Sequence, residues 1–193
     1  MNNDDRKPIM QVFGGPSGSG KSTVLKTGEI KPIGIYTNSD EIQKKDNVNR
    51  EIAKEKVWKQ REESLFNRDD FSFESTLSKD EHVAFMQTAK NQGYEIQCIY
   101  VLTYDVEINL ARIKGRYLGG GHDIPQDKTR IRYESALKLL PEVFEVCDKI
   151  VIYDNTGDEA SVIAEKDANN VKITQNQFWS ESTIMRLISN SNE

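Results

Sequence analysis

Cysteine is nearly absent: the chain has two, Cys98 and Cys147, with no C-x-x-C spacing. That excludes a disulfide-stapled scaffold and argues against thiolate metal or redox chemistry, so both read as reduced thiols in or near a core. No apolar run approaches the roughly 20 residues a membrane-spanning helix needs. The N-terminal MNNDDRKP lacks the apolar centre of a signal peptide, so the expectation is a cytoplasmic protein with no membrane partner. A surplus of positive charge is also missing, since 26 Lys and Arg against 31 Asp and Glu leave a net charge of −5. Nucleic acid is therefore an unlikely partner, although a local basic cleft remains open. There is no internal repeat and no low-complexity tract. The 193 residues fit one domain, large enough to bury most of the surface its unfolded chain would expose.

Gly15 to Ser22 reads GPSGSGKS and fits the phosphate-binding P-loop pattern G-x-x-x-x-G-K-[ST] at every required position. Ile9 to Phe13 before it is a short apolar run of strand length, and Ser22 to Leu25 can open a helix. A strand, a glycine-rich turn and a helix N-terminus make an anion site. Gly15, Gly18 and Gly20, with Pro16, Ser17 and Ser19 between them, let the backbone turn its N–H groups toward phosphates. Lys21 supplies a mobile cation, the Ser22 hydroxyl is placed to ligate Mg²⁺, and Thr23 continues the helix start. ATP and Mg²⁺ are the expected cofactors.

Ile33 to Tyr36 reads as a second strand running into Thr37-Asn38-Ser39-Asp40. Ser39 or Asp40 would cap the next helix, and Asp40 then stands at the C-terminal edge of the sheet, where ligands bind in open α/β folds. The alternative for Asp40 is a helix cap and nothing more. From Glu41 to about Asn67 the chain is strongly charged, predicting one long or two shorter helices with Val48, Ile52, Trp58 and Leu65 turned inward. Phe71 to Thr76 is a third strand, and Ser78-Lys79-Asp80-Glu81 matches a capping box for the helix after it. Glu74, Ser75 and Thr76 then lie on the ligand edge. Ile96 to Leu102 is nearly continuously apolar, as an interior parallel strand should be.

Asp105 is placed to cap a helix whose Arg112 and Arg116 share a face. Gly119-Gly120-Gly121-His122-Asp123-Ile124-Pro125 then forms a glycine joint, and a further helix carries Arg130 and Arg132 and ends at Pro141. Four arginines around a flexible joint suit a lid, over residues 105–140, that closes cations onto a transferring phosphoryl group. Lys149 to Tyr153 is the last parallel strand. The turn after it, Asp154 to Gly157, makes Asn155 a candidate contact to the adenine base. Residues 158–193 read as a terminal hairpin and a short helix. The expected fold is a three-layer α/β P-loop domain with a five-stranded parallel sheet, the P-loop strand central.

The P-loop, S-D-E-I after the second strand, F-E-S-T in the third, G-G-H-D-I-P followed by R-x-R-Y, and the Y-D-N turn together resemble the zeta toxin family, from about Ile9 to Gly157. The likeness is greatest to its short stand-alone bacterial members. That resemblance implies an ATP-dependent phosphotransferase moving the γ-phosphate to a hydroxyl of a small molecule, with UDP-N-acetylglucosamine the family's known acceptor. Carried over by position, Asp40 is the catalytic base, Glu74 and Thr76 bind the acceptor, and Arg112 or Arg116 is the first lid arginine. Aligned on Pro125, His122 stands where the toxins carry a second lid arginine, which leaves that role to Arg130 or Arg132. The toxins' E-G-T-G-R is replaced here by Glu74 to Ser78, with one arginine fewer. The family also leaves room for an antitoxin partner. Two other readings stay open: a nucleotide-binding regulatory or toxin–antitoxin interaction protein with vestigial catalysis, and a nucleotide or polynucleotide kinase.

Overall fold

The computed structural model describes residues 6–118 and 125–189. Strand β1 (Ile9–Gly14) runs through the middle of the parallel part of the sheet, buried along nearly its whole length. It pairs in parallel with β3 (Phe71–Ser75) on one side and β4 (Glu95–Leu102) on the other, Val12 standing opposite both Phe73 and Cys98. β2 (Ile35–Thr37) adds outside β3, and β5 (Lys149–Asp154) outside β4, both parallel. The interior strands are apolar toward both faces because helices cover both.

The sheet has seven strands rather than five, in the order β2-β3-β1-β4-β5-β6-β7. The C-terminal hairpin, β6 (Ser161–Asp167) and β7 (Asn170–Ile173), does not stand apart but pairs antiparallel onto β5. Without it β5 would be an open edge, and an apolar strand with unpaired N–H and C=O groups invites association. Ile163 and Ala164 of β6 are fully buried and continue the core past Ile150 and Ile152.

Helix α1 (Lys21–Thr27) follows the P-loop and stops at Gly28, whose N–H donates to the Val24 carbonyl at 2.9 Å. The charged segment forms two helices, α2 (Ser39–Asp46) and α3 (Arg50–Asn67), parted where Asn47 turns left-handed at φ 50°. The cap of α2 is neither Ser39 nor Asp40: Asn38 Oδ1 accepts from the Asp40 N–H at 2.9 Å. The inward stripe of α3 is also shifted. Ala53, Val57, Arg61, Ser64 and Leu65 face the core, whereas Ile52 is 41% exposed and Trp58 only half-buried.

Helix α4 (Asp80–Asn91) begins one residue later than the capping box implies. Lys79 is its N-cap and offers no side-chain bond, while the Ser78 hydroxyl pairs with that of Thr76 at 2.8 Å. α5 (Val106–Leu118) starts as expected, with Asp105 Oδ1 accepting from the Glu107 N–H at 2.9 Å. α6 (Gln126–Val146) does not end at Pro141 but passes through it. Leu140, Val143 and Val146 are buried on either side of the proline, and this packing outweighs one lost backbone bond. α7 (Glu181–Ile188) closes the chain, with Ile184 in the core. Cys98 and Cys147 are both buried and free. Among the described residues no helix is long and apolar enough to cross a membrane.

Candidate active site

The C-terminal ends of β1 to β5 meet at one edge of the sheet, and the P-loop leaves β1 there. Gly15 has φ +129°, and a Cβ on it would lie 2.0 Å from the Val101 carbonyl oxygen, so the loop is packed against β4 as closely as glycine allows. Three side chains grip the loop by its carbonyls. Asn109 Nδ2 donates to Ser17 O at 2.8 Å, Asn155 Nδ2 to Ser19 O at 2.7 Å, and Arg112 Nη1 to Ser19 O at 3.4 Å. In a trans peptide the next N–H points opposite to the carbonyl, so the Gly18 and Gly20 N–H groups point away from the side chains that grip the loop, the direction a phosphate cradle uses. A Cβ on Gly20 would fall 2.1 Å from Asn155 Nδ2, so that position too is closed to larger residues. The Ser19 hydroxyl is buried without a partner. Pro16 and Ser19 are buried, while Ser22 and Thr23 are exposed at the start of α1.

Asn155 therefore holds the P-loop from the loop after β5, and it is 8% exposed. Asn109 is fully buried and takes a hydrogen bond from the Thr103 hydroxyl at its own Oδ1. It was not singled out in the sequence. Its position three residues before Arg112 on the same helical face is the signal that would have found it.

Lys21 is 7% exposed. Its ammonium folds back on the loop, donating to Gly15 O at 2.8 Å and Pro16 O at 3.3 Å, and lies 3.6 Å from Glu74 Oε1. Burial pushes its pKa down, and the Glu74 carboxylate works against that shift. The Arg116 charge lowers it further, and the Asp40 charge raises it. Glu74 Oε2 accepts from Asn38 Nδ2 at 2.9 Å and from the Tyr36 hydroxyl at 3.4 Å. The capping residue of α2 thus also holds the acid at the end of β3. Asp40 is exposed in the first turn of α2 and free of any capping duty. Thr76 sits past the end of β3, its hydroxyl turned to Ser78.

The arginines part into two groups. Arg112 reaches the P-loop, and Arg116 is exposed on the same helix with its charge felt at Lys21. Arg130 turns to α5, pairing with Glu107 Oε1 at 2.5 Å. Arg132 is half-buried; desolvation and the Arg50 charge lower its pKa, and Asp40 raises it. The Asp40 charge thus acts on both Lys21 and Arg132. Gly119, Gly120, Gly121 and His122 lie outside the described residues.

A family model described as Zeta toxin matches residues 35–168. The chain belongs to the zeta toxin family. The matched segment starts at β2 and takes in Asp40, Glu74, Thr76, the four arginines and Asn155, while the P-loop lies ahead of it. An uncharacterized protein of Haemophilus influenzae is 36% identical to this zeta toxin family member over 124 residues, which is 62% of this chain and 88% of that protein. Among solved structures, the PezAT chromosomal toxin–antitoxin system of Streptococcus pneumoniae matches with a TM-score of 0.55 at 19% identity, over 85% of this chain and 73% of that one. The AvrRxo1-ORF1:ORF2 complex matches with a TM-score of 0.68 at 12% identity, over 97% of this chain and 66% of that one. At such identities the structural likeness speaks for the fold. Family and P-loop together make this a kinase-like nucleotide-binding protein.

Proposed function

We propose that this zeta toxin family member is a Mg²⁺·ATP-dependent kinase that transfers the γ-phosphate to a hydroxyl of a small molecule, a UDP-amino sugar being the first acceptor to test. The observation that carries the reading is Lys21, which touches the P-loop carbonyls and the Glu74 carboxylate at once while Asp40 acts on its charge. A phosphate loop that only bound nucleotide would not need a carboxylate held against its lysine. The gripped, closely packed loop fits a triphosphate. Ser22, exposed at the first turn of α1, would hold Mg²⁺ together with the phosphates. That ion would supply charge neutralisation at the β- and γ-oxygens.

In this reading Lys21 leaves the Gly15 and Pro16 carbonyls to meet the β- and γ-phosphate oxygens. Arg112 and Arg116, on one face of α5 beside the P-loop, stabilise charge spreading over the phosphoryl oxygens. Arg132 and Arg130 enter from α6, and Arg130 has to give up Glu107 to do so. Asp40 accepts or orients the proton of the attacking hydroxyl, and Glu74, oriented by Asn38 and Tyr36, binds the acceptor with Thr76. Residues 105–140 serve as the lid. An antitoxin partner is proposed on the likeness to PezAT, which is described as a toxin–antitoxin system.

Purified protein incubated with Mg²⁺·ATP and UDP-N-acetylglucosamine, and in parallel with a metabolite extract, tests the reading by mass spectrometry of new phosphorylated species. A product heavier by one phosphoryl group, lost in Lys21→Ala, is expected. Tight ATP binding with no product from either mixture would instead favour a nucleotide-binding interaction protein.

A further inference from the structure

The buried stripe of α3 is small or apolar except at one place. Arg61 stands in this buried row and is 3% exposed. No carboxylate lies within ion-pair distance of it among the described residues. Its guanidinium sits over the Phe73 ring, 4.2 Å from the centroid, and 5.4 Å from that of Trp58. Burial pushes it down to about 9, so it stays charged at neutral pH. Ring faces soften the desolvation of a guanidinium but do not replace water's hydrogen bonds. A core helix carrying this residue needs a reason.

The hydrogen bonds supply one. Arg61 Nε donates to Thr37 Oγ1 at 3.1 Å, and Nη2 donates to the Glu74 carbonyl at 3.3 Å. The parallel ladder between β2 and β3 has its last rung at Thr37 and Phe73. Glu74 is the next residue of β3, and Asn38, the cap that starts the Asp40 turn, is the next after β2. The two chains therefore lose their backbone pairing just where they begin to carry the site. The Arg61 fork spans the gap there, and the Asn38–Glu74 bond lies one step beyond it.

We propose that Arg61 is a positioning residue of the transfer site, which ties the ends of β2 and β3 together from α3 and so fixes Asp40 and Glu74 relative to Lys21. The proposal rests on the kinase reading above. Arg61 itself touches neither nucleotide nor acceptor. It works because its planar, two-pronged donor reaches a hydroxyl on one strand and a carbonyl on the other, which a lysine ammonium or an apolar chain cannot do. Displacing a reacting group by about 1 Å costs on the order of 100-fold in rate, so a slack junction here reads out as lost transfer.

Arg61→Met keeps length and removes the buried charge, and Arg61→Lys keeps the charge without the fork. For each, melting temperature, ATP dissociation constant, backbone hydrogen exchange and ATP-dependent phosphorylation of UDP-N-acetylglucosamine are measured beside wild type. The expected result for Arg61→Met is a melting temperature at or above wild type, since removing an unpaired buried ion is often neutral or stabilising. ATP affinity should stay within about twofold, while kcat falls about 10- to 100-fold and the acceptor KM rises. Exchange should quicken at residues 37–41 and 74–77 and not in β1 or β4, and Arg61→Lys should recover little. Wild-type turnover in Arg61→Met overturns the assignment. So does a drop in stability with exchange rising across the whole sheet, which would make Arg61 an ordinary core residue. If wild type binds ATP but leaves UDP-N-acetylglucosamine untouched, the acceptor is wrong, and the exchange pattern decides for Arg61: confined loosening supports the assignment, and unchanged ends overturn it.

Discussion

Asp40 stands in the first turn of α2 with its carboxylate free of hydrogen bonds and ion pairs among the described residues, and Asn38, not Asp40, caps that helix. Asp40→Asn therefore leaves the cap intact and removes only charge and basicity. Fold and ATP affinity should be unchanged while transfer falls about 10²- to 10⁴-fold, the usual share of general-base catalysis. Measuring all three on one preparation checks it, and a fully active variant would leave Asp40 without a role. Lys21 carries a complementary expectation. Burial lowers its pKa in the fold, so the ammonium is less at ease there than in the unfolded chain. Lys21→Ala should abolish transfer and weaken ATP binding with no loss of melting temperature.

His82 gives a pH signature at the same scale. Its ring stacks on Trp58 with centroids 5.5 Å apart, its Nδ1 is buried without a partner, and burial pushes its pKa from 6.5 down to about 4. The unfolded histidine takes its proton near 6.5 and the folded one only near 4. Between those values the unfolded state binds more protons, and stability falls as pH falls. The loss reaches at most roughly 3 kcal/mol. Denaturant midpoints at pH 7 and pH 4.5 should separate less in His82→Gln than in wild type; an equal separation would mean the ring is accessible to protons in the folded state.

At the scale of elements, the P-loop is shaped by its neighbours as much as by its own glycines. α5 contributes Asn109 and Arg112, and the loop after β5 contributes Asn155, all aimed at loop carbonyls. Asn109→Ala leaves Ser17 O without its donor, while the Thr103 hydroxyl keeps the Asp105 carbonyl, at a cost of about 1–3 kcal/mol in stability. The cradle loosens with it, and the ATP dissociation constant should rise about tenfold, equivalent to about 1.4 kcal/mol. Calorimetric titration with ATP checks this, and unchanged affinity would mean the glycines alone hold the loop. The same grips link α5, which carries two of the candidate lid arginines, directly to the phosphate site.

Across the whole molecule, one sheet joins the site to the C-terminal hairpin, and α7 packs Ile184 and Ile188 into the same core as Ile150 and Ile152. Ile184 is fully buried. Ile184→Ala should cost about 2–5 kcal/mol from lost burial and the cavity left behind. At a temperature where the variant remains folded, its ATP affinity should match wild type, because α7 packs its apolar face on α6 and the core. Thermal melts with and without ATP test both halves of that expectation, and a weakened ATP site would show that the C-terminal layer reaches the phosphate edge.

The amino-acid order by itself determined the features that depend on a few neighbouring residues. The glycine spacing before Lys21 and Ser22 specifies a phosphate loop, and the apolar runs ending at Phe13, Leu102 and Tyr153 specify strands whose ends share an edge. Local competition already escaped it: Asn38, Ser39 and Asp40 can all cap a helix, and the one chosen was Asn38 because its amide also reaches Glu74. Tertiary structure alone decided the rest. Lys21 meets Glu74, Asn109 meets Ser17, Asn155 meets Ser19, and Arg61 meets Thr37 and Glu74. Each pair is far apart in the chain, or belongs to elements whose relative placement local sequence does not encode. The hairpin joined the sheet for a similar reason, since only the finished parallel layer reveals that β5 would otherwise be left as an unpaired edge.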